Sequence, residues 1–315
     1  MTARLPVVLA AATGVLLASV WAVPIDAQTP RFRSSTSVVS VTAVVRDRKG
    51  RFVRDLEQKD FTVEESGRQK PILDFRAESD GPVKLALLFD ISGSMRVSSR
   101  AEDAREAARH LLSALRPMDQ AALFSFDTRL QQVRGFTSDI GSLTAALEHV
   151  EPPYGQTSLY DAIAETARDV AVEHREPPTL VQRRAVVVLT DGVDTKSRLT
   201  AADVTSIASG IDVPVYVLAV MSAVDDPREE RNEERGSELR NLAHWTGGEL
   251  FISTAPAHAS VAARRIVDEL RHQYVLAFEA SHKPGWHPLE VRARNRDLVV
   301  RARAGYMASG GAAAP

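Results

Sequence analysis

Two different periods of hydrophobic residues divide this chain of 315 residues into three parts. Residues 37–80 alternate apolar and polar side chains around a turn at residues 47–50, which predicts short, half-buried strands. Residues 82–272 alternate continuous apolar runs with helical patterns, and residues 273–307 return to alternation. This order predicts an α/β unit flanked by strands from both chain ends.

The central part has the pattern of a parallel sheet covered by helices on both faces. Its apolar runs are nearly continuous, as is typical of strands buried on two sides, and they occupy residues 83–89, 121–126, 185–189 and 215–220. A helix is predicted over residues 100–116, with a capping box formed by Ser99 and Glu102. The charged stretch 225–240 is predicted to be a solvated helix face, with a second metal site or a protein dock as the alternative.

The terminal strands are too few to bury a stable core separately. We therefore predict that residues 37–80 and 273–307 pack together as a small β-sandwich-like domain, with residues 82–272 inserted between them. Four arginines near the carboxyl end alternate with apolar residues, which predicts that they lie on solvated faces of two strands. A basic patch for an anionic partner is the alternative. These arginines are Arg292, Arg294, Arg301 and Arg303.

The first 27 residues have the pattern of a secretory signal. A basic residue, Arg4, precedes a largely apolar stretch over residues 5–23, and Ala27 is the expected cleavage point. This predicts export to the periplasm or the outside of the cell, without a membrane span after cleavage, and an uncleaved membrane anchor is the alternative. Residues 28–36 are predicted to be a linker, and residues 308–315 a disordered tail.

Composition narrows the chemistry. The chain contains no cysteine, which excludes disulfides, thiolate metal sites and lipidation of a cysteine. Its formal net charge is −2 with 25% charged residues, which argues against nucleic-acid binding driven by bulk electrostatics.

Oxygen-bearing side chains follow two of the predicted strands. Asp90, Ser92 and Ser94 come directly after the first central strand, and Asp191 follows the third. Because carboxyl ends of parallel strands meet at one edge of a sheet, these groups are expected to lie close together. Carboxylates and hydroxyls are ligands for a hard divalent cation. Helix capping by the serines and a plain turn at Asp191 are the alternative.

Three motifs in this order resemble the metal-ion-dependent adhesion site of von Willebrand factor type A domains. The family pattern is Asp-x-Ser-x-Ser, then Thr, then Asp, and the matching positions here are Asp90, Ser92, Ser94, Thr157 and Asp191. The resemblance implies a Rossmann-like α/β fold with a mostly parallel central sheet. One departure concerns the loop that carries the threonine, where Gln156 replaces the usual second glycine.

The resemblance also implies how the site works. In that family the hydroxyls contact the metal and the carboxylates often act through waters, so the cation stays electrophilic and accepts a carboxylate from a partner protein. We expect Mg²⁺, with Mn²⁺ or Ca²⁺ as substitutes. The partner is expected to expose an Asp or Glu. A structural envelope scaffold, in which the metal only stabilises the loops, is the alternative.

The flanking strands extend the resemblance beyond the central unit. Asp60-Phe61, residues 273–276 and Gly305-Tyr306 are similar to a group of bacterial exported proteins that are related to von Willebrand factor A and frequent in Acidobacteria. The sequence lacks a phosphate-binding loop, a nucleophile elbow and helical His-x-x-x-His spacing, so we predict that it is not an enzyme. Phosphoester hydrolysis by a metal-activated water is the alternative.

Overall fold

A computed structural model describes residues 38–78, 81–150, 155–172, 183–221 and 230–308. The predicted signal at residues 1–27, the linker at 28–36 and residues 309–315 of the tail lie outside this range, so these predictions stay predictions. None of the described helices is both long enough and apolar enough to cross a membrane.

The described chain contains these strands in order: β1 (Val38–Arg46), β2 (Phe61–Glu65), β3 (Arg68–Lys70), β4 (Ile72–Glu78), β5 (Val83–Asp90), β6 (Gln120–Phe126), β7 (Leu130–Thr137), β8 (Arg183–Thr190), β9 (Val215–Val220), β10 (Leu250–Ser253), β11 (Gln273–Glu279), β12 (Gly285–Ala293), β13 (Val299–Ala302) and β14 (Gly305–Ala308). The helices are α1 (Arg100–Ser113), α2 (Ile140–Glu148), α3 (Leu159–Val172), α4 (Ala201–Gly210), α5 (Glu230–Trp245) and α6 (Pro256–Arg271).

Six strands form the central sheet in the order β10-β9-β8-β5-β6-β7. All pairs are parallel except β6 with β7, which is antiparallel. Alternate residues of β5 face opposite layers: Leu87 packs with residues of α1, α2 and α6, whereas Leu88 packs with residues of α3, α4 and α5. Burial on both faces explains the continuous apolar runs. The predicted fold class, a mostly parallel sheet flanked by helices, is confirmed.

Three elements of the central unit, β7, α2 and α4, were not predicted, and one cap was predicted wrongly. The edge strand β7 is mostly exposed and lacks an alternating apolar pattern, and α2 buries only Leu143 and Leu147. Helix α1 ends at Ser113 rather than at residue 116. The predicted capping box at its start is wrong, because the Ser99 hydroxyl donates to Asp103 Oδ2 at 2.7 Å and caps no backbone group.

Strands from both chain ends form two four-stranded sheets, in the orders β13-β1-β11-β4 and β14-β12-β2-β3. The first strand lies between two strands from the carboxyl end, with Val41 opposite Leu276. The two sheets share a core that includes Phe61, Phe278 and Tyr306. This is the β-sandwich-like unit that the sequence predicted, and below it is called the β-sandwich.

The prediction of solvated faces is wrong for two of the four arginines. Arg292 and Arg294 are exposed, but the side chains of Arg301 and Arg303 are only 14% and 5% exposed. Arg303 Nε lies 3.3 Å from Asp212 Oδ1 of the α/β unit. The same side chain donates to the carbonyl of Ser209 in the last turn of α4. The alternation identifies a shared face correctly, but it does not reveal that the α/β unit covers part of that face.

Candidate metal centre

Asp90 is the last residue of β5 and is fully buried. Thr190 Oγ1 donates to its Oδ2 at 2.6 Å, and the amide of Ser92 donates to its Oδ1 at 2.9 Å. Burial raises the pKa of Asp90 to about 7, against the opposing effect of these hydrogen bonds, and the nearby charge of Asp191 adds to the rise. A carboxylate in this position is stabilised by a cation.

The hydroxyls of Ser92 and Ser94 lie side by side immediately after β5. Their oxygens are 3.1 Å apart, and Ser92 is fully buried. Ser92 occupies the position before the short 3-10 helix Gly93–Arg96, yet its side chain caps no backbone group. The capping alternative is therefore wrong for Ser92. The two hydroxyls are hydrogen-bonded to each other at this distance of 3.1 Å. The same separation is compatible with neighbouring ligand oxygens of an octahedral Mg²⁺, which lie about 3 Å apart.

The loop that carries Thr157 lies against the serine loop. The amide of Gly93 donates to the carbonyl of Gly155 at 3.2 Å, and Thr157 itself is buried. The hydrogen bonds described for Thr157 use its backbone: its amide donates to Thr195 Oγ1 at 2.9 Å, and its carbonyl accepts from the amides of Thr195 and Lys196. Gln156 is exposed. The departure from the family pattern therefore leaves the threonine in a buried position.

Asp191 follows β8 at the same edge of the sheet, and its side chain is 3% exposed. It accepts from the amide of Val193 at 3.2 Å, which is the turn bond of the alternative interpretation. It also pairs with Arg100, whose Nη1 lies 2.9 Å from Asp191 Oδ2 and donates to the carbonyl of Ser94 at 3.0 Å. Arg100 thereby ties the two metal loops together.

Sequence reasoning missed two supporting residues. Arg100 was interpreted only as the start of a helix, and its distance from Asp191 in the sequence gave no signal. Thr190, directly after the predicted strand 185–189, was given no role, although its hydroxyl donates to Asp90 and accepts from the amide of Gly192 at 3.0 Å. A threonine between a buried strand and an aspartate was the available signal.

A neighbouring loop fixes the start of α3 behind the threonine. Asp194 Oδ1 accepts from the amide of Leu159 at 2.8 Å and from the Ser197 hydroxyl at 2.6 Å. The Ser197 hydroxyl accepts in turn from the amide of Tyr160 at 3.0 Å. These bonds hold the threonine loop to the β8 loop through the orphan amides of a helix start.

The donor set fits a hard divalent cation. It consists of hydroxyls and two carboxylates, with Arg100 balancing only one of the two negative charges. Within the described residues, no group of three or more His, Cys, Asp or Glu side chains is arranged to hold a metal. A site made mainly of hydroxyls is compatible with that finding. Asp90, Ser92, Ser94, Thr157 and Asp191 are the residues that would hold the ion.

A cavity of about 430 Å³ adjoins Asp191. Its apolar wall includes Leu239 and Ile252, and its polar residues include Glu233 and Arg240. The cavity therefore offers apolar surface directly beside the oxygen cluster.

Comparison with known proteins agrees with the fold. The family model of the von Willebrand factor type A domain matches residues 85–193, which include all five predicted ligands. A search of curated proteins finds no match.

Several solved structures resemble the chain at low identity. The conserved hypothetical protein BatB from Bacteroides thetaiotaomicron is 21% identical over 60% of this chain and 98% of its own, with a TM-score of 0.48. An aerotolerance-related membrane protein from Bacteroides fragilis is 22% identical over the same shares, with a TM-score of 0.46. Proximal thread matrix protein 1 from the mussel byssus, solved with a zinc-occupied adhesion motif, is 18% identical over 67% of this chain and 50% of its own, with a TM-score of 0.48.

Proposed function

We propose, from the premise that residues 85–193 form a von Willebrand factor type A domain, that this protein binds a partner protein through a divalent cation. The observation that supports this best is the hydroxyl pair of Ser92 and Ser94, 3.1 Å apart beside the buried Asp90. When bound, the cation supplies an electrophilic centre for one carboxylate of the partner. Mg²⁺ is the preferred ion, because it suits octahedral oxygen ligands.

The cavity beside Asp191 sharpens the expected partner. Its apolar wall adjoins the metal loops, so a partner segment that presents an Asp or Glu to the cation also places a neighbouring side chain against Leu239 and Ile252. We propose that this neighbouring side chain is apolar. We also propose an exported location, on the evidence of the apolar stretch before Ala27.

We propose binding rather than catalysis. Both carboxylates of the site are already engaged, Asp90 with Thr190 and Asp191 with Arg100. Neither of them is positioned as a free general base in this arrangement.

Calorimetry with Mg²⁺ and Mn²⁺ tests the metal site. We expect Asp90→Ala to abolish binding and Ser92→Ala to weaken it by about 10- to 100-fold, because one loses a buried charge and the other a direct ligand. Ser99→Ala is the matched control, since that serine is exposed and its described side-chain hydrogen bond goes to Asp103 in the first turn of α1. Equal metal affinity in Asp90→Ala and the unaltered protein would disprove the site.

A pull-down from the envelope of the native host separates adhesion from the scaffold alternative. We expect the unaltered chain to capture partner proteins when Mg²⁺ is present. The same proteins should no longer be captured when chelator is added or when the Asp90→Ala variant is used. If metal raises the thermal midpoint while the captured proteins stay the same with chelator, the scaffold function is correct.

A further inference from the structure

A cavity of about 530 Å³ lies between the β-sandwich and the α/β unit. Its walls come from β1 and β13 on one side and from α5, β10 and α6 on the other. Four arginines line it, one or more from each unit: Arg46, Arg240, Arg265 and Arg301. Below it is called the junction pocket. It is separate from the five predicted metal ligands.

Two carboxylates compensate part of this positive charge. Glu249 lines the pocket, and Arg265 Nη2 lies 2.9 Å from its Oε1. Glu269 is fully buried on α6 and pairs with Arg46 and Arg301. Arg301 also pairs with Glu249. Among the described residues, four guanidinium groups against two carboxylates leave a formal excess of two positive charges.

Two of the four arginines are held away from water, whereas Arg240 and Arg265 are exposed toward the open side of the pocket. The side chains of Arg46 and Arg301 are 12% and 14% exposed. Arg46 Nε is buried without a hydrogen-bond partner among the described residues. Burial, together with the charges of Arg265 and Arg301, lowers the pKa of Arg46 to about 10. A buried donor and unbalanced charge are costly unless a ligand compensates them.

We propose that the junction pocket binds a doubly charged oxyanion of the phosphate type. Guanidinium forks donate in parallel to the oxygens of phosphate, and an ion of charge −2 balances the formal excess. Glu249 is the carboxylate on the wall, and its charge is already engaged by Arg265 and Arg301. The bound anion connects Arg46 and Arg301 of the β-sandwich with Arg240 and Arg265 of the α/β unit, so it stabilises the junction.

Calorimetry and thermal unfolding with inorganic phosphate test this proposal on the full chain, at constant ionic strength and with chelator present. We expect phosphate to raise the thermal midpoint more than chloride does, since a ligand of the folded state stabilises it. Arg240→Ala and Arg265→Ala should each weaken phosphate binding by at least fivefold. Arg264→Ala is the matched control, because Arg264 is an exposed arginine on α6 next to Arg265 but does not line the pocket.

Two further arms make the result decisive. Arg240 is exposed and has no ion pair among the described residues, so its variant tests the pocket even if Arg265→Ala unfolds. Asp90→Ala should keep the phosphate affinity of the unaltered chain, which separates this site from the metal site.

The source of the anion is resolved by competing ligands. Binding of glycerol phosphate as tightly as inorganic phosphate supports a phosphate group carried on a larger molecule, whereas binding of the inorganic ion alone supports a free ion. Sulfate should bind and succinate should bind more weakly. If no anion binds better than chloride, or if Arg240→Ala binds phosphate like the control, the arginines form only a structural ion-pair network and the proposal is wrong.

Discussion

The metal edge of the central sheet and the junction pocket hold buried charge of opposite sign. At the metal edge, the buried Asp90 lies close to the charge of Asp191, and Arg100 pairs with Asp191. At the junction, four arginines line the pocket, and Glu249 and Glu269 pair with three of them, Arg46, Arg265 and Arg301. Buried charge is costly unless it is paired. The uncompensated sign in each region therefore indicates its ligand: a cation at the first and an anion at the second.

The largest expected effect is at the junction. Glu269→Ala removes the fully buried carboxylate that pairs with both Arg46 and Arg301, and leaves them only the partly exposed Glu249 as an acidic partner among the described residues. Breaking a buried pair in this way costs about 3–5 kcal/mol. We expect that loss in the free energy of unfolding, measured by urea titration.

The neighbouring residue on α6 provides the control. Asp268 is exposed, so Asp268→Ala should change the free energy of unfolding by less than about 0.5 kcal/mol. A loss below about 1 kcal/mol in Glu269→Ala would show that the junction is a solvated network, and the comparison with the metal edge would fail.

The two regions also differ in how far sequence predicted them. The metal loops follow buried strands, so Asp90 and Asp191 could be assigned to one edge from the order of apolar runs. The threonine loop was assigned from the family resemblance. The two hydroxyls, on Ser92 and Ser94, are only two residues apart in the sequence. A site whose ligands lie in short local motifs of this kind can be predicted almost completely from the sequence.

The junction could not be predicted in the same way. Its charged residues are distributed from Arg46 to Arg301, and no local pattern connects them. Alternation in β13 showed that arginines share a face, but only the packing of two units shows what covers that face. The edge strand β7 was missed for a related reason, since an exposed edge strand does not require an apolar pattern.

A smaller effect is expected where a third buried charge is fully paired. Asp119 accepts from the amides of Val83 at 2.9 Å and Arg116 at 2.7 Å, and from Arg271 at 2.5 Å. Burial acts to raise the pKa of Asp119, but these hydrogen bonds and the charge of Arg271 hold it below its ordinary value. Unlike the two ligand sites, this carboxylate needs no ligand.

The sign of the pH dependence follows from the lowered pKa of Asp119. Its contribution to stability is present above the unfolded pKa of about 3.9, and it is lost as the pH falls through the folded value. Asp119→Asn should lower the free energy of unfolding at pH 7 by about 1–3 kcal/mol and flatten its decline below about pH 4. Asp297→Asn, at an exposed ion pair with Arg48, should leave the free energy of unfolding at pH 7 and its decline in acid unchanged. An equal acid decline in both variants would exclude Asp119 as its source.

The smallest expected effects distinguish two neighbouring residues of the threonine loop, Gly155 and Gln156. A side-chain carbon at Gly155 would stand 3.3 Å from Asp127 Oδ2, and the Gly155 carbonyl already accepts from the serine loop. Gly155→Ala should therefore cost about 1 kcal/mol and weaken Mn²⁺ binding severalfold by shifting Thr157.

Gln156 is exposed and does not have a positive φ, so its backbone does not require the glycine of the family pattern. Gln156→Gly should change Mn²⁺ affinity by less than about twofold and lower stability by at most about 1 kcal/mol. Calorimetry with Mn²⁺ and urea unfolding on both variants measure the difference, and a larger loss of metal affinity in Gln156→Gly than in Gly155→Ala would show that the loop positions Thr157 through the glutamine side chain instead.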